Sequence, residues 1–327
     1  MKPTQRSLPD AFLQKLRRVI PSSHFDKVVR TFQESKPTTF RINSLRTTPG
    51  EVKEVLESSG FKVEAVHRLK GAFILRKGRQ RDLEDTALYQ QGRIYVQNLS
   101  SMVPPLALAP QRGEKVLDLT AAPGSKTTQL STLMGNEGTI TANDNNPIRV
   151  EKLKANVERQ GCDNVTVLPA GDGGLLWKDY PEGFDKVLLD APCSSEGRFL
   201  TSEPGTYGYW KEDTNRKMAR DQRRLFKSAL RSLKIEGTMV YSTCTFSPEE
   251  NEGVLQWALE TYPGDFELLP LSVGFSNWMP GLAEWEGKPF DPSLRQAVRV
   301  LPDGTMEGFF LALLRKKRTL PIDPPSY

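Results

Sequence analysis

The chain has 327 residues but only three cysteines and two histidines. The odd, sparse set of Cys162, Cys193 and Cys244 argues against a disulfide framework. With only His24 and His67 to join them, no group has the spacing of a zinc site, so no metal is expected. No apolar run approaches the roughly 20 residues that span a bilayer, and no membrane association is expected. The opening MKPTQRSLPD lacks the apolar core of a secretion signal, so the expected location is the cytoplasm. Charge of one sign is also scarce. Forty-five Lys and Arg against 40 Asp and Glu leave a net charge of +5, so partners must be sought in where charge clusters rather than in its total. Internal repeats and low-complexity runs are absent. The length suits one α/β enzyme domain with a smaller module, expected to be a monomer.

What is present is a change of pattern near residue 110. Residues 1–110 read as a small α+β module: a helix over 12–20, strands over 37–45 and 62–69, and a helix over 48–60 that stops at Gly60. Their order predicts a split-βαβ unit. Residues 111–318 alternate strands with helices. Strands are predicted at 115–119, 138–144, 164–171, 185–192 and 237–244. Asn146 and Pro147 open a helix to Gln160 that stops at Gly161. A long helix runs from Asp213 to Leu233, and Ser247, Pro248 and Glu250 read as a capping box for a helix to Glu260. A further strand, 308–317, pairs against the rest, and 319–327 read as a loose tail. The fold class is therefore α/β, with a doubly wound, mainly parallel sheet.

The first core strand ends in VLDLTAAPGSKTTQL, residues 116–130. In a doubly wound sheet, ligands sit at the carboxyl ends of strands near the switch in strand order. A turn of small residues lets the backbone approach a ligand there, and the helix beyond it offers N–H groups. The P-loop pattern and the dinucleotide pattern are both absent. S-adenosylmethionine needs such a turn plus an acid after the second strand, where Asp144 stands; Asp172 follows the third. A tight turn with no ligand is the alternative on local pattern alone.

Three segments carry a family resemblance. AAPGSKT (121–127), DAPCSS (190–195) and STCTFSPEENE (242–252), in that order and spacing, resemble the motifs of the RNA 5-methylcytosine methyltransferases, the Fmu/Sun group of bacteria and the Nop2/Sun group of eukaryotes. YVQNLSSMVPPLAL (95–108) and GFF (308–310) resemble the flanking segments of that core, and TTFRINSL (38–45) resembles the preceding region more loosely. Thr120 stands where the family commonly has Cys, and Ser125 where it has Gly. Ser125 adds a side chain beside the turn and can cap the following helix.

The resemblance implies a class I methyltransferase core using S-adenosylmethionine. By position, Thr120, Ala121, Ala122, Pro123, Gly124, Ser125 and Lys126 hold the methionine part. Asp144 bonds the ribose with support from Arg149, Asp172 lies near the adenine, and Asp190 lies between cofactor and base. The chemistry fits. Ring carbon 5 of cytosine becomes a nucleophile only after a thiolate adds to carbon 6, with an acid group near ring nitrogen 3. Cys193 and Cys244 each follow a core strand, so both face the ligand edge, where Lys126 and helix N-termini favour thiolate. Spacing does not decide which one attacks. The resemblance assigns attack to Cys244 and product release to Cys193, as DNA enzymes instead use the Pro-Cys cysteine. Core packing is the alternative for the pair, and Cys162 reads as inert.

An RNA-facing surface is expected on the helix from Asp213, whose Arg216, Arg220, Arg223, Lys227, Arg231 and Lys234 share one stripe. Lys2, Arg6, Lys15, Arg17, Arg18, Arg41, Lys53 and the run 315–318 add charge, and Tyr207, Tyr209 and Trp210 either stack on an unpaired base or pack as a lid. The target cytosine must leave any helix. Ribosomal RNA is preferred over transfer RNA. A binding or assembly factor that keeps the fold without turnover is the competing reading, and a DNA cytosine methyltransferase is a third.

Overall fold

A computed structural model describes residues 7–321; the charges expected at Lys2 and Arg6 and the tail from 322 onward lie outside them. Near the N-terminus, two amphipathic helices, α1 (Asp10–Val19) and α2 (Ser22–Thr31), precede a β-α-β-β-α-β run. Its parts are β1 (Thr39–Ile42), α3 (Pro49–Ser58), β2 (Lys62–Ala65), β3 (Ala72–Lys77), the short α4 (Gln80–Glu84) and α5 (Ala87–Gln90), and β4 (Ile94–Val96). The sheet order is β2-β3-β1-β4 with every pair antiparallel, which is the split-βαβ arrangement. Helix α3 begins where sequence places it, because Thr48 accepts from the Glu51 N–H at 3.3 Å and Glu51 accepts from the Thr48 N–H at 2.8 Å.

Helices α1 and α2 do not pack on this sheet. Phe12, Leu16, Phe25 and Phe32 cluster with Phe199, Tyr207, Trp210 and Phe246, far along the chain. Buried Lys15 pairs with Glu249 at 2.6 Å. Within the module expected over 1–110, the two helices thus bury their apolar faces against later segments while the sheet has its own core, because apolar faces of short helices bury against whatever surface is complementary.

The second region starts with α6 (Leu99–Leu108) and continues as β5 (Lys115–Asp118), α7 (Ser125–Met134), β6 (Thr139–Ala142), α8 (Pro147–Gln160), β7 (Val165–Val167), β8 (Phe184–Asp190), α9 (Glu212–Ser232), β9 (Leu233–Thr243) and α10 (Glu252–Thr261). After them come β10 (Phe266–Leu269), β11 (Trp278–Pro280), the hairpin β12 (Glu284–Trp285) and β13 (Lys288–Pro289), β14 (Val298–Val300) and β15 (Phe309–Lys316). The order is β11-β14-β15-β9-β8-β5-β6-β7, with β10 also paired to β15. Strands β9, β8, β5, β6 and β7 run parallel, and β15 is antiparallel to β9.

Alternation explains why helices cover both faces. Val116, Leu188, Val240 and Leu313 meet Leu108, Leu130 and Met134 of α6 and α7. Their neighbours Leu117, Leu189, Tyr241 and Ala312 meet Phe226, Ala229 and Leu255 of α9 and α10. The chain winds from β5 outward to β6 and β7, then returns to β8 on the other side of β5, so the switch in order opens a crevice at the carboxyl ends of β5 and β8.

Two local expectations fail. Ser247 and Glu250 do not cap a helix: α10 starts only at Glu252, Ser247 Oγ donates to Glu249 at 2.7 Å, and Glu250 is drawn into the interior. Residues 319–321 are not loose as expected, since Leu320 is buried and the Pro321 carbonyl accepts from Arg231 at 2.7 Å.

Candidate active site

The site is assembled from the ends of β5, β6, β8 and β9. The turn after β5 is held on both sides. The Ala121 N–H donates to the Asn143 carbonyl at 2.7 Å, the Ala122 N–H donates to Asp144 at 3.2 Å, and Asn156 donates to the Pro123 carbonyl at 2.8 Å. Arg149 also donates to the Ala122 carbonyl. Gly124 has φ of 106°, and a Cβ there would lie 2.9 Å from Leu153 Cδ1, so backbone conformation and space both call for glycine. Gly124 is itself the residue before α7, with no side-chain cap, and Ser125 is the first helical residue; Ser125 does not cap the helix as expected.

Lys126, in the first turn of α7, reaches back into the crevice. It pairs with Asp190 Oδ2 at 2.7 Å and donates to Ser101 Oγ at 2.7 Å. The β8–β9 register sets Asp190 opposite Ser242, whose hydroxyl donates to Asp190 Oδ1 at 2.7 Å. Both oxygens of this carboxylate are thus fixed, and Thr120 Oγ1 donates to the Asp190 carbonyl at 2.8 Å.

Cys193 and Cys244 follow those two strands, and their sulfur atoms are 3.4 Å apart. The surroundings break the symmetry between them. The hydrogen bond between the two sulfurs lowers the pKa of Cys244 against the opposing effect of burial, and Ser195 Oγ at 3.5 Å adds to the lowering. Cys193 is held well above the ordinary thiol range by that same bond, by burial and by the nearby Cys244 and Glu250. Of the two thiols, Cys244 is thus the one more readily ionised. Cys162 is buried elsewhere, and burial raises its pKa.

Cys244, though not Cys193, borders a cleft of about 350 Å³ lined also by Ser101, Asp118, Thr120 to Pro123, Ser125, Lys126, Arg149, Asp190, Arg198, Glu307 and Phe309 among others. A smaller cavity of about 180 Å³ shares Thr120 and Arg149 with it and adds Asn143, Asp144, Asp172, Pro192 and Leu225. Asp144 is buried and 3.4 Å from Arg149. Asp172 is bound by Arg224 at 2.5 Å, a partner on α9 that sequence did not suggest; that bond holds its carboxyl below the usual range. Asp118 is buried with its Thr127 bond of 2.7 Å, and burial raises its carboxyl to about 7.

Behind the cysteines lies a polar cluster that sequence reasoning missed. Glu250, fully buried, accepts from the Ser194 N–H at 2.9 Å and hydroxyl at 2.6 Å, from Asn215 at 2.9 Å and from Gln222 at 3.0 Å. Glu196 accepts from Asn215 and from Trp210, each at 2.7 Å, and from the Phe246 N–H at 3.1 Å. The two glutamates tie the Cys193 loop, the Cys244 loop and α9 together. Burial, with the nearby Glu196 charge, raises Glu250 to about 7.

The expected basic surface is mostly committed to internal partners. Arg231 is buried, with its guanidinium 4.4 Å over Trp177, Arg223 lies 5.6 Å over Trp257, and Lys234 sits in β9 paired with Asp185 at 2.6 Å. Only Arg216 and Arg220 of that stripe are fully exposed. Arg41 is buried against Gln97 and Thr128, at 2.8 Å each. Lys316 is buried, and Arg315, Lys317 and Arg318 are paired with acids. Tyr207 and Trp210 pack inside; Tyr209 is exposed. Among the described residues no group of three or more metal-binding side chains occurs, and no helix is long and apolar enough to cross a membrane.

The comparisons agree with this layout. Residues 105–315 match the family model described as 16S rRNA methyltransferase RsmB/F, and residues 8–99 match the N-terminal domain of 16S rRNA methyltransferase RsmF. The chain is 39% identical to the ribosomal RNA small subunit methyltransferase F of Escherichia coli (strain K12), over 98% of its own length and 66% of that protein's. The corresponding protein of Shigella dysenteriae matches equally, so the chain spans 66% of the length of these curated relatives. A crystal structure of a methyltransferase homolog protein from Pyrococcus horikoshii is 34% identical, with a TM-score of 0.77 over 94% of this chain and 100% of that one. The NSun6 structure from the same organism, 21% identical with a TM-score of 0.80 over 96% of this chain and 100% of that one, shares the fold. With one family model covering the whole parallel-sheet core, the chain belongs to the RsmB/F family of 16S rRNA methyltransferases.

Proposed function

We propose that the protein transfers a methyl group from S-adenosylmethionine to ring carbon 5 of a cytosine in small-subunit ribosomal RNA, through covalent attack by Cys244. The observation that carries this reading is the contact between the Cys193 and Cys244 sulfurs at 3.4 Å, with Cys244 on the wall of the same cleft as the turn from Thr120 to Lys126. The names of the relatives, ribosomal RNA small subunit methyltransferases, support the ribosomal substrate.

The residues fit the methyl donor. Asp118 lines the cleft with one buried oxygen that has no hydrogen-bond partner, an acceptor suited to an ammonium group. Gly124 lets the turn close without a Cβ. Asp144 accepts two backbone N–H bonds, and a carboxylate has further lone pairs for ribose hydroxyls. Leu119, Pro192 and Leu225 with Asp172 line the smaller cavity and suit the adenine. S-adenosylmethionine, when bound, supplies an electrophilic methyl group.

The chain's own groups do the rest. The Cys244 thiolate adds to cytosine carbon 6, and the electron pair moves through carbon 5 towards ring nitrogen 3. Asp190, held between Lys126 and Ser242, relays a proton from the Lys126 ammonium to ring nitrogen 3 as the electron pair arrives there. Once carbon 5 is methylated, the Lys126–Asp190 pair takes the proton from carbon 5, the electrons of that bond re-form the double bond to carbon 6, and the bond from carbon 6 to Cys244 breaks with its pair left on sulfur, with Cys193 assisting the release; ring nitrogen 3 then gives up its own proton.

The test is methyl transfer from labelled S-adenosylmethionine to RNA and to small ribosomal subunits from cells lacking this protein. Label recovered in 5-methylcytidine is the expected result. Cofactor binding without transfer to any RNA, free or in particles, would favour a binding factor instead.

A further inference from the structure

Beside the catalytic cleft lies a second pocket of about 440 Å³, within the size range of ligand sites. Phe32, Lys36, Arg198, Glu203, Tyr209 and Glu307 are among its walls. Arg198 and Glu307 line both spaces, so the two are contiguous. Cys244, Asp190 and the turn from Thr120 to Lys126 do not line this pocket. Whatever occupies it neither reacts nor holds the methyl donor, yet sits next to what does.

Its chemistry is that of a nucleotide site. Tyr209 is the one aromatic of its loop left in the open: Tyr207 and Trp210 are buried at 7% each, whereas Tyr209 is 52% exposed. Among the described residues no other aromatic ring packs on it. Its hydroxyl reaches the Ser194 carbonyl at 3.5 Å, which ties the ring to the Cys193 loop. The wall holds two cations, Lys36, anchored to the Thr31 carbonyl at 2.9 Å, and Arg198, paired with Glu307 at 3.6 Å, among the acids Glu34, Glu203 and Glu307; the exposed Arg198 guanidinium keeps further donors for a phosphate. Glu203 and Glu307 offer acceptors for base N–H groups.

We propose that this pocket is the subsite for the nucleotide adjoining the target cytosine, with Tyr209 as its stacking platform and Arg198 on the phosphate that joins the two. The inference rests on the reading of the cleft as the place of cytosine methylation. A target base turned out of its stack leaves its neighbour without a stacking partner, and an open aromatic ring at the mouth of the cleft replaces that partner.

The test uses a short fluorescein-labelled RNA with one cytosine among adenines, and two versions lacking the base on the 5′ or the 3′ side of that cytosine. Affinity is measured by anisotropy with S-adenosylhomocysteine present, for the full-length wild type, Tyr209→Ala and Tyr209→Phe. Tyr209→Ala should weaken binding of the intact RNA by about tenfold, and Tyr209→Phe should bind nearly as the wild type does. One of the two abasic RNAs should lose a similar factor with the wild type and lose nothing further with Tyr209→Ala. Losses that multiply, or equal affinity for all three RNAs, would overturn the subsite. Label transfer measured with the same proteins separates the two ideas. Binding differences with no methylation of this RNA or of small ribosomal subunits would support a nucleotide pocket beside the cleft and refute the catalytic reading. Methylation with no such differences would refute the subsite alone.

Discussion

Cys244→Ala should abolish methyl transfer, by at least ~10³-fold, the scale on which losing a covalent nucleophile is felt. Cys193→Ala should behave differently. It keeps the nucleophile but removes the thiol 3.4 Å away, so addition and methylation proceed while release stalls. A complex of protein and RNA that survives denaturing electrophoresis is the expected product, and it should be absent from Cys244→Ala. The same substitution removes the hydrogen bond that lowers the Cys244 pKa, so the pH at which the adduct forms should move upward. Activity that survives Cys244→Ala and disappears in Cys193→Ala would reverse the two roles.

The second large effect is expected at Glu250. In Glu250→Ala, the Ser194 N–H and hydroxyl, Asn215 and Gln222 lose their shared acceptor in a buried setting. A buried polar group left without a partner costs about 1–3 kcal/mol, so a loss of roughly 3–5 kcal/mol of stability is expected, with activity falling as the two cysteine loops separate. Glu250→Gln keeps shape and should fold. It should also change the pH dependence. The folded carboxyl titrates at about 7 instead of 4.5, so between those values the folded state holds a proton that the unfolded chain has released. Its contribution is full below about 4.5 and is lost as pH rises through about 7. Buried Asp118, also raised to about 7, acts in the same direction. Urea midpoints of the wild type should therefore fall from pH 5 to pH 8, and Glu250→Gln should fall less. An unchanged slope in that variant would show that Glu250 is ionised throughout.

How much of this was legible in the sequence differs by element. Strands β5 to β9 could be read because both sheet faces are buried, which forces short apolar runs between helices. Lys126, Asp190, Cys193 and Cys244 could be read because their motifs end or follow strands of one parallel sheet, and the structure brings all four together. Glu250 could not be placed: its residues Ser247 to Glu250 have the local pattern of a helix cap, and only the pairing of β8 with β9 sets it beside Ser194. The basic stripe on α9 failed for a similar reason. Periodicity aligns Arg223, Arg231 and Lys234, but their partners Trp257, Trp177 and Asp185 lie on elements that periodicity does not relate to them. Ring exposure likewise separates Tyr209 from Tyr207 and Trp210, three residues that look alike in the chain.

Attack on carbon 5 makes one demand that no other methylation of cytosine makes: the hydrogen already on that carbon must leave. The most direct measurement is therefore the release of tritium from ribosomal RNA carrying [5-³H]cytosine, followed beside the transfer of methyl groups from S-adenosylmethionine. The account predicts one tritium released for each methyl transferred, with both lost in Cys244→Ala. Methyl transfer with the tritium retained would place the methyl on nitrogen or on the ribose, and would contradict the covalent mechanism.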